Sequence, residues 1–158
     1  MKGFIKAIRF IPAAVWMYII YWFSDQAWYE STDQSSGFTY TLVNAIATPS
    51  GMDMDTRMKW VVILEPYVRK LCHMGEYAIL FLLLFFAIWY FAGDYYKKVF
   101  ITLCLCFLYA CSDEIHQLHV PGRSGQLSDV VVDSLGAVII MLIIIMIHRK
   151  RNKTKEES

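Results

Sequence analysis

Charge is scarce in this chain: Asp, Glu, Lys and Arg make up 18% of its 158 residues, while 57% are hydrophobic. A soluble domain of this length is about a quarter charged and about half apolar, so the composition argues against an ordinary water-soluble globule. The formal net charge of +1 gives no global electrostatic signal. The basic residues form no stripe with interleaved aromatics, which removes nucleic acid as an expected partner. Cysteine is sparse too. Cys72 precedes one apolar run, and Cys104, Cys106 and Cys111 lie within or at the end of another. That spacing makes no disulfide framework, and the four read as small apolar fillers. No small-x-small cleavage site follows the first apolar run; the residues there, "YWFSDQAWY", are bulky and aromatic. A retained helix is therefore expected rather than a cleaved signal peptide, despite the basic flank of Lys2, Lys6 and Arg9.

What the chain has instead is four apolar runs, at 10–23, 77–93, 99–112 and 130–147, the last broken only by Asp133. "AILFLLLFFAIWYFAG" and "LGAVIIMLIIIMI" have no polar stripe, and lipid is the natural solvent for helices that are apolar all round. The pattern predicts an all-α membrane protein, a four-transmembrane-helix bundle. Its helices are expected at about 8–25, 66–93, 98–117 and 129–148, in one membrane domain over 1–148 with a basic tail at 149–158. The segment 26–65 is expected to form an outer-leaflet helical segment. In it "STDQSSG" reads as a turn or loop, "FTYTLVNAIA" as a short helix and "TPSGMD" as a break. "TRMKWVVILE" reads as an amphipathic helix with Trp60 at headgroup level. Pro66 then suits the first turn of the second spanning helix.

Orientation follows from the basic residues. With a cytoplasmic N-terminus, ten of the fifteen lie inside: Lys2, Lys6, Arg9, Lys97, Lys98 and the tail cluster from Arg149 to Lys155. The positive-inside rule then sets both termini in the cytoplasm, with the tail solvated and mobile.

The four runs lose apolar character at the same, outer end. Fourteen residues separate Lys98 from Asp113 and another fourteen separate Asp133 from His148, about 21 Å of helix each. Asp25, Glu76, Asp113 and Asp133 are therefore expected at similar depth. Helical spacing puts Lys70, His73, Glu76 and Tyr77 on neighbouring positions of one helix. It puts Asp113 and Gln117 on one face of the next, with Glu114 and His116 beside them, and Asp129, Asp133 and Gly136 on one face of the last. "FSDQ" at the first run and "CSDE" at the third form a weak internal echo. The candidate pocket comprises Asp25, Gln26, Lys70, His73, Glu76, Tyr77, Asp113, Glu114, His116, Gln117, Arg123, Asp129 and Asp133. Three readings stay open: a buried network that fixes helix register, an outward-open pocket that binds or transforms something, or short helices with solvated ends. Ionisable groups at membrane depth favour a functional site by default.

"FSDQ", "RKLCHMGEYAIL" and "SDEIHQLHVPGRSGQLSDVVVDSLGA" together resemble the VanZ-like family of small bacterial membrane proteins. The last stretch is the most specific: D-E-x-x-Q, then P-G-R, then two carboxyl or amide residues four apart, then Gly. Family members often carry Asn where Asp133 stands. The resemblance implies a multi-pass plasma-membrane protein of a Gram-positive bacterium, acting near the cell surface and associated with low-level resistance to glycopeptides such as teicoplanin. Some relatives bear a phosphotransbutyrylase label, but this chain has no phosphate-cradling glycine loop.

The residues themselves leave catalysis open. His73, Glu76 and His116, with Glu114 and His119 nearby, are weak metal candidates, because none of their spacings is a specific metal motif. Asp113, Glu114 and Asp133 are candidates for acid–base work. Arg123, on the "PGRSG" turn, is expected to fold back as a lid and to fork onto a phosphate or carboxylate. No cofactor is implied. The expected partners are membrane lipids and a lipid-linked wall precursor or lipoglycopeptide; the oligomeric state stays open.

Overall fold

The computed structural model describes residues 7–26, 28–123 and 125–156. Lys2 and Lys6 of the basic flank lie outside them. The described residues form five α-helices and no strand: α1 Ile11–Ser24, α2 Trp28–Ala47, α3 Met54–Trp89, α4 Tyr95–Gln117 and α5 Leu127–Glu156. α3, α4 and α5 are long and apolar enough to cross a membrane, and α1 is a shorter apolar helix.

Local chemistry sets the boundaries. Pro12 sits in the first turn of α1, where its missing N–H costs nothing. Asp53 caps α3, accepting from the Thr56 N–H at 3.0 Å and the Thr56 hydroxyl at 2.7 Å. Asp94 caps α4 by accepting from the Lys97 N–H at 3.1 Å. The α3–α4 connection turns at Gly93, whose φ of +133° excludes most side chains.

Three expectations need correction. "STDQSSG" is not a loop: residues 32–37 lie within α2. The Ser35 hydroxyl there donates to the Thr32 carbonyl at 3.1 Å, and just beyond it Thr39 donates to the Ser35 carbonyl at 2.7 Å and Thr41 to the Gly37 carbonyl at 3.0 Å. Ser35 also bonds Glu65 of α3, so tertiary contact overrides a weak local preference. Second, the outer segment does not end at Pro66. α3 runs unbroken through 36 residues with Pro66 in its interior, about 54 Å in all. Pro66 only withdraws one N–H from the Val62 carbonyl, and the capped start at Asp53 holds the helix upstream. Third, the basic tail is helical: α5 continues through it to Glu156, with residues 149–155 exposed as expected of a solvated segment.

α3 packs most extensively on α5, and α2 on α3. The main core lies where all the apolar helices meet, with Ile20 of α1, Tyr77, Leu80 and Phe81 of α3, Cys106 and Ala110 of α4 and Ala137 of α5 fully buried. Close packing of α3 on α5 depends on Gly136. A Cβ there would sit 1.9 Å from the Met74 carbonyl oxygen. A separate small core of Val43, Ala47 and Val61 joins α2 to the first half of α3.

Candidate functional site

Two sets of polar groups meet near the ends of α1 and α4. The first is a hydrogen-bonded network in which one oxygen, Asp113 Oδ1, is buried without a partner among the described residues. Ser24, Asp113 and Gln117 are all buried. The Ser24 hydroxyl donates to Asp113 Oδ2 at 2.7 Å, and Gln117 Nε2 donates to the same oxygen at 3.1 Å. Gln117 Oε1 accepts from Arg123 Nη1 at 3.2 Å. The rest of the guanidinium is used on α1: Nε donates to the Gln26 carbonyl at 3.2 Å and Nη2 to the Phe23 carbonyl at 3.3 Å. The last carbonyls of a helix have no partner within it, and a planar fork with five donors suits several of them at once. Burial lowers the Arg123 pKa from its ordinary value, Arg69 adding to the effect, though guanidinium remains a cation. Arg123 is therefore not a free lid. It ties the end of α1 to the end of α4.

The second set surrounds a cavity of about 210 Å³. α3 supplies Arg69, Lys70 and His73; α4 supplies Glu114 and Gln117; α5 supplies Asp129, Val132 and Asp133, with Arg123 and Gln126 from the connecting segment. Water fills liquid volume at about 30 Å³ per molecule, so the space suits a small polar group or several waters. Around the rim, Lys70 Nζ lies 3.5 Å from Asp129 Oδ1. Glu114 accepts from the Gln126 N–H at 2.6 Å. Asp133 differs. It is 5% exposed, lines the cavity, and makes no hydrogen bond or ion pair to any described residue.

A neighbouring cavity of about 310 Å³ opens between the end of α1, α2 and α3, lined by Gln26, Ser35, Phe38 and Glu76 among others. Arg69 and His73 line both spaces. His73 Nδ1 lies 3.2 Å from Glu76 Oε2, and Trp16 of α1 donates to the Glu76 carbonyl at 2.9 Å. The two cavities are thus separated by a histidine and an arginine of α3.

The structure divides the thirteen sequence candidates. Lys70, His73, Glu114, Gln117, Arg123, Asp129 and Asp133 line the first cavity; Gln26 and Glu76 line the second. Asp113 lines neither, being held in the network with Ser24 and Gln117. Asp25 and His116 pair with each other at 3.0 Å, the His116 ring lying 4.5 Å from that of Tyr21. Tyr77 is fully buried in the core, 6.2 Å from the Tyr109 ring, its hydroxyl without a partner among the described residues. The metal candidates are also separated. His73 faces the cavities, His116 faces Asp25, and no three His, Cys, Asp or Glu among the described residues are grouped to hold a metal. His119 turns to the Ile115 carbonyl at 3.1 Å. Ser24, Arg69 and Gln126 belong to the site but were not among the candidates. Arg69 was signalled by its place four residues before His73. Ser24 of "FSDQ" meets Asp113 of "CSDE", and Asp25 meets His116, two residues beyond it.

These features define a membrane protein: apolar helices around a small core, with charged groups gathered into a cavity near one end. The model of the VanZ/LLP1 family matches residues 10–148, and the chain belongs to that family. No curated protein and no solved structure shows significant similarity to it.

Proposed function

We propose that this VanZ-family protein is a multi-pass plasma-membrane protein whose polar cavity opens to the outer surface. In this reading it binds the polar head of a lipid, a lipid-linked wall precursor or a lipoglycopeptide. Binding there modulates the cell surface, in keeping with the low-level teicoplanin resistance that the VanZ resemblance implies. α1 acts as a fourth crossing and both termini are cytoplasmic. The apolar face of α1 packed on α3 and α4 supports this, as does the bias of basic residues to the other end of the bundle.

Asp133 carries the proposal. A carboxyl group at membrane depth with no partner among the described residues is costly. Here it stands on the wall of a space that also holds Arg69, Lys70 and His73. A ligand with both a donor for Asp133 and an anionic group for the α3 cations would complete the arrangement. Native mass spectrometry of the purified chain, with co-purified lipid retained, tests it. A lipid or wall-precursor adduct is expected on the parent and on Asp133→Asn, which keeps a hydrogen-bonding group of the kind relatives often carry. The adduct is expected to vanish in Asp133→Leu. Equal retention by the parent and Asp133→Leu would refute the reading.

One observation favours a second reading, an outward-facing hydrolase or transferase. Glu114 and Asp133 line one cavity in different environments, one bonded to a backbone N–H and the other not. Such pairs divide acid and base roles. Turnover of a lipid-linked substrate that survives in the parent but is lost in both Glu114→Gln and Asp133→Asn would select it.

A further inference from the structure

At the end of the bundle away from the polar cavity, α3, α4 and α5 enclose a groove of about 490 Å³. Asp133 and Ile144 are separated by about 16 Å of helix, so this groove is a distinct space. Its walls are apolar: Phe86 and Trp89 from α3, Ile144 and Ile147 from α5. Tyr95, the first residue of α4, fixes its shape. Its hydroxyl donates to the Ile144 carbonyl at 3.0 Å, its ring stacks on His148 at 3.6 Å, and it meets the Trp89 ring edge-on at 6.1 Å.

The rim is basic. Ile144, Ile147, His148, Arg151 and Lys155 fall at i, i+3, i+4, i+7 and i+11, so one face of α5 changes from apolar to cationic along its length. The Arg151 side chain makes no ion pair or hydrogen bond to any described residue. From Arg149 to Lys155 the chain carries five cations, with Glu156 and Glu157 following directly. Asp94, the acid that α4 brings to this end, is already engaged as a helix cap. A greasy cleft with cations one to three turns beyond it is complementary to an amphiphile with an anionic head. Basic pockets between membrane helices take such heads, and arginine binds phosphate through paired N–H donors.

We propose that this groove seats one anionic phospholipid of the surrounding leaflet, an acyl chain against Trp89, Ile144 and Ile147 and the phosphate on Arg151 and Lys155. An acyl chain gains little by leaving neighbouring lipid, so the headgroup charge sets the selectivity, at about fivefold per cation.

The test uses the full chain in detergent, offered equal phosphatidylglycerol and phosphatidylcholine and read by native mass spectrometry. The parent is expected to retain phosphatidylglycerol preferentially. Arg151→Gln with Lys155→Gln should cut that preference by roughly twentyfold. The charge-matched pair Arg149→Gln with Lys153→Gln, which lies off the groove, should keep most of it. Ile147→Trp, which fills the cleft with the cations intact, should also lower retention. Equal retention of the two lipids by the parent overturns the proposal. So does equal loss from both charge pairs, which would mark a diffuse basic flank, or full retention by Ile147→Trp, which would mark a headgroup contact with no seated chain.

Discussion

Replacing Gly136 by alanine tests the contact that holds the cavity walls in place. The added methyl would lie 1.9 Å from the Met74 carbonyl oxygen, 2.7 Å from its carbonyl carbon and 3.1 Å from its Cα. All three atoms are backbone, so no rotamer change relieves the clash. Reaching ordinary contact at 3.4 Å means moving α3 and α5 apart locally by about 1.5 Å, the difference from 1.9 Å. Small residues allow membrane helices this approach, and overpacking a formed contact costs about 1–3 kcal/mol. Because backbone opposes the methyl, the upper half of that range applies. For a chain of this length about 2–3 kcal/mol lowers the unfolding midpoint by about 5–10 °C. The shift should be visible in a thermal melt of the detergent-solubilised protein. Gly136 lies one turn from Asp133 and Met74 adjoins His73, so ligand retention should fall with stability. Truncating the Met74 side chain in a Gly136→Ala, Met74→Ala double variant should not restore the midpoint. A Gly136→Ala protein that melts within a degree of the parent, or rescue by Met74→Ala, would refute the argument.

The same melt should report Arg123→Lys as less stable by about 2 kcal/mol, since hydrogen bonds from a charged group contribute about 1.5–3 kcal/mol and a lysine cannot span Phe23, Gln26 and Gln117. Loss of ligand retention with the midpoint unchanged would restore Arg123 to the ligand's side. At the start of α3, the Thr56 N–H and hydroxyl hold the exposed Asp53 carboxyl below its ordinary value of 3.8. With the folded value depressed, the cap is fully present above 3.8 and is lost as pH falls through the lower folded value. Amide exchange at Thr56 and Arg57 should accelerate over that acid window in the parent and be pH-independent, after correction for intrinsic exchange, in Asp53→Ala. Reporter fusions after Asp94 and after Ile147 should read cytoplasmic and a fusion near Ser50 external; an external C-terminal fusion would invert the proposed orientation.

What the sequence revealed, and what it hid, follows from range. The apolar runs are local signals, and the helical class follows from them directly. The outer half of α3 reads as a separate amphipathic helix because proline is a strong local punctuation mark. Its cost in a helix interior is one withdrawn N–H, which a capped and packed helix tolerates. The helical state of residues 32–37 depends on Ser35 reaching Glu65, thirty residues away, which no local pattern encodes. At the site, periodicity placed Asp129 and Asp133 on one face of α5, and both line the cavity. It could not decide which way Asp113 turns, because Asp113, Glu114 and Gln117 are neighbours on α4 that face different helices. Asp113 faces Ser24 of α1, while Glu114 reaches the Gln126 backbone.

That division bears on where function lies. Ser24, Asp113, Gln117 and Arg123 form a chain of hydrogen bonds from α1 to α4, and removing one member leaves its neighbours buried and unsatisfied. Such a group is held in place by folding alone. Across Gln117 and Arg123, which belong to both sets, lies the cavity. There Lys70 and Asp129 meet at a loose 3.5 Å and Asp133 makes no hydrogen bond or ion pair to any described residue. Folding does not require a buried carboxyl to face a cavity; an apolar residue at 133 would pack there at lower cost. The hydrogen-bonded network therefore positions the cavity. Stability should track Ser24 and Asp113, ligand retention should track Asp133 and Lys70, and of these six side chains only Gln117 and Arg123 should move both.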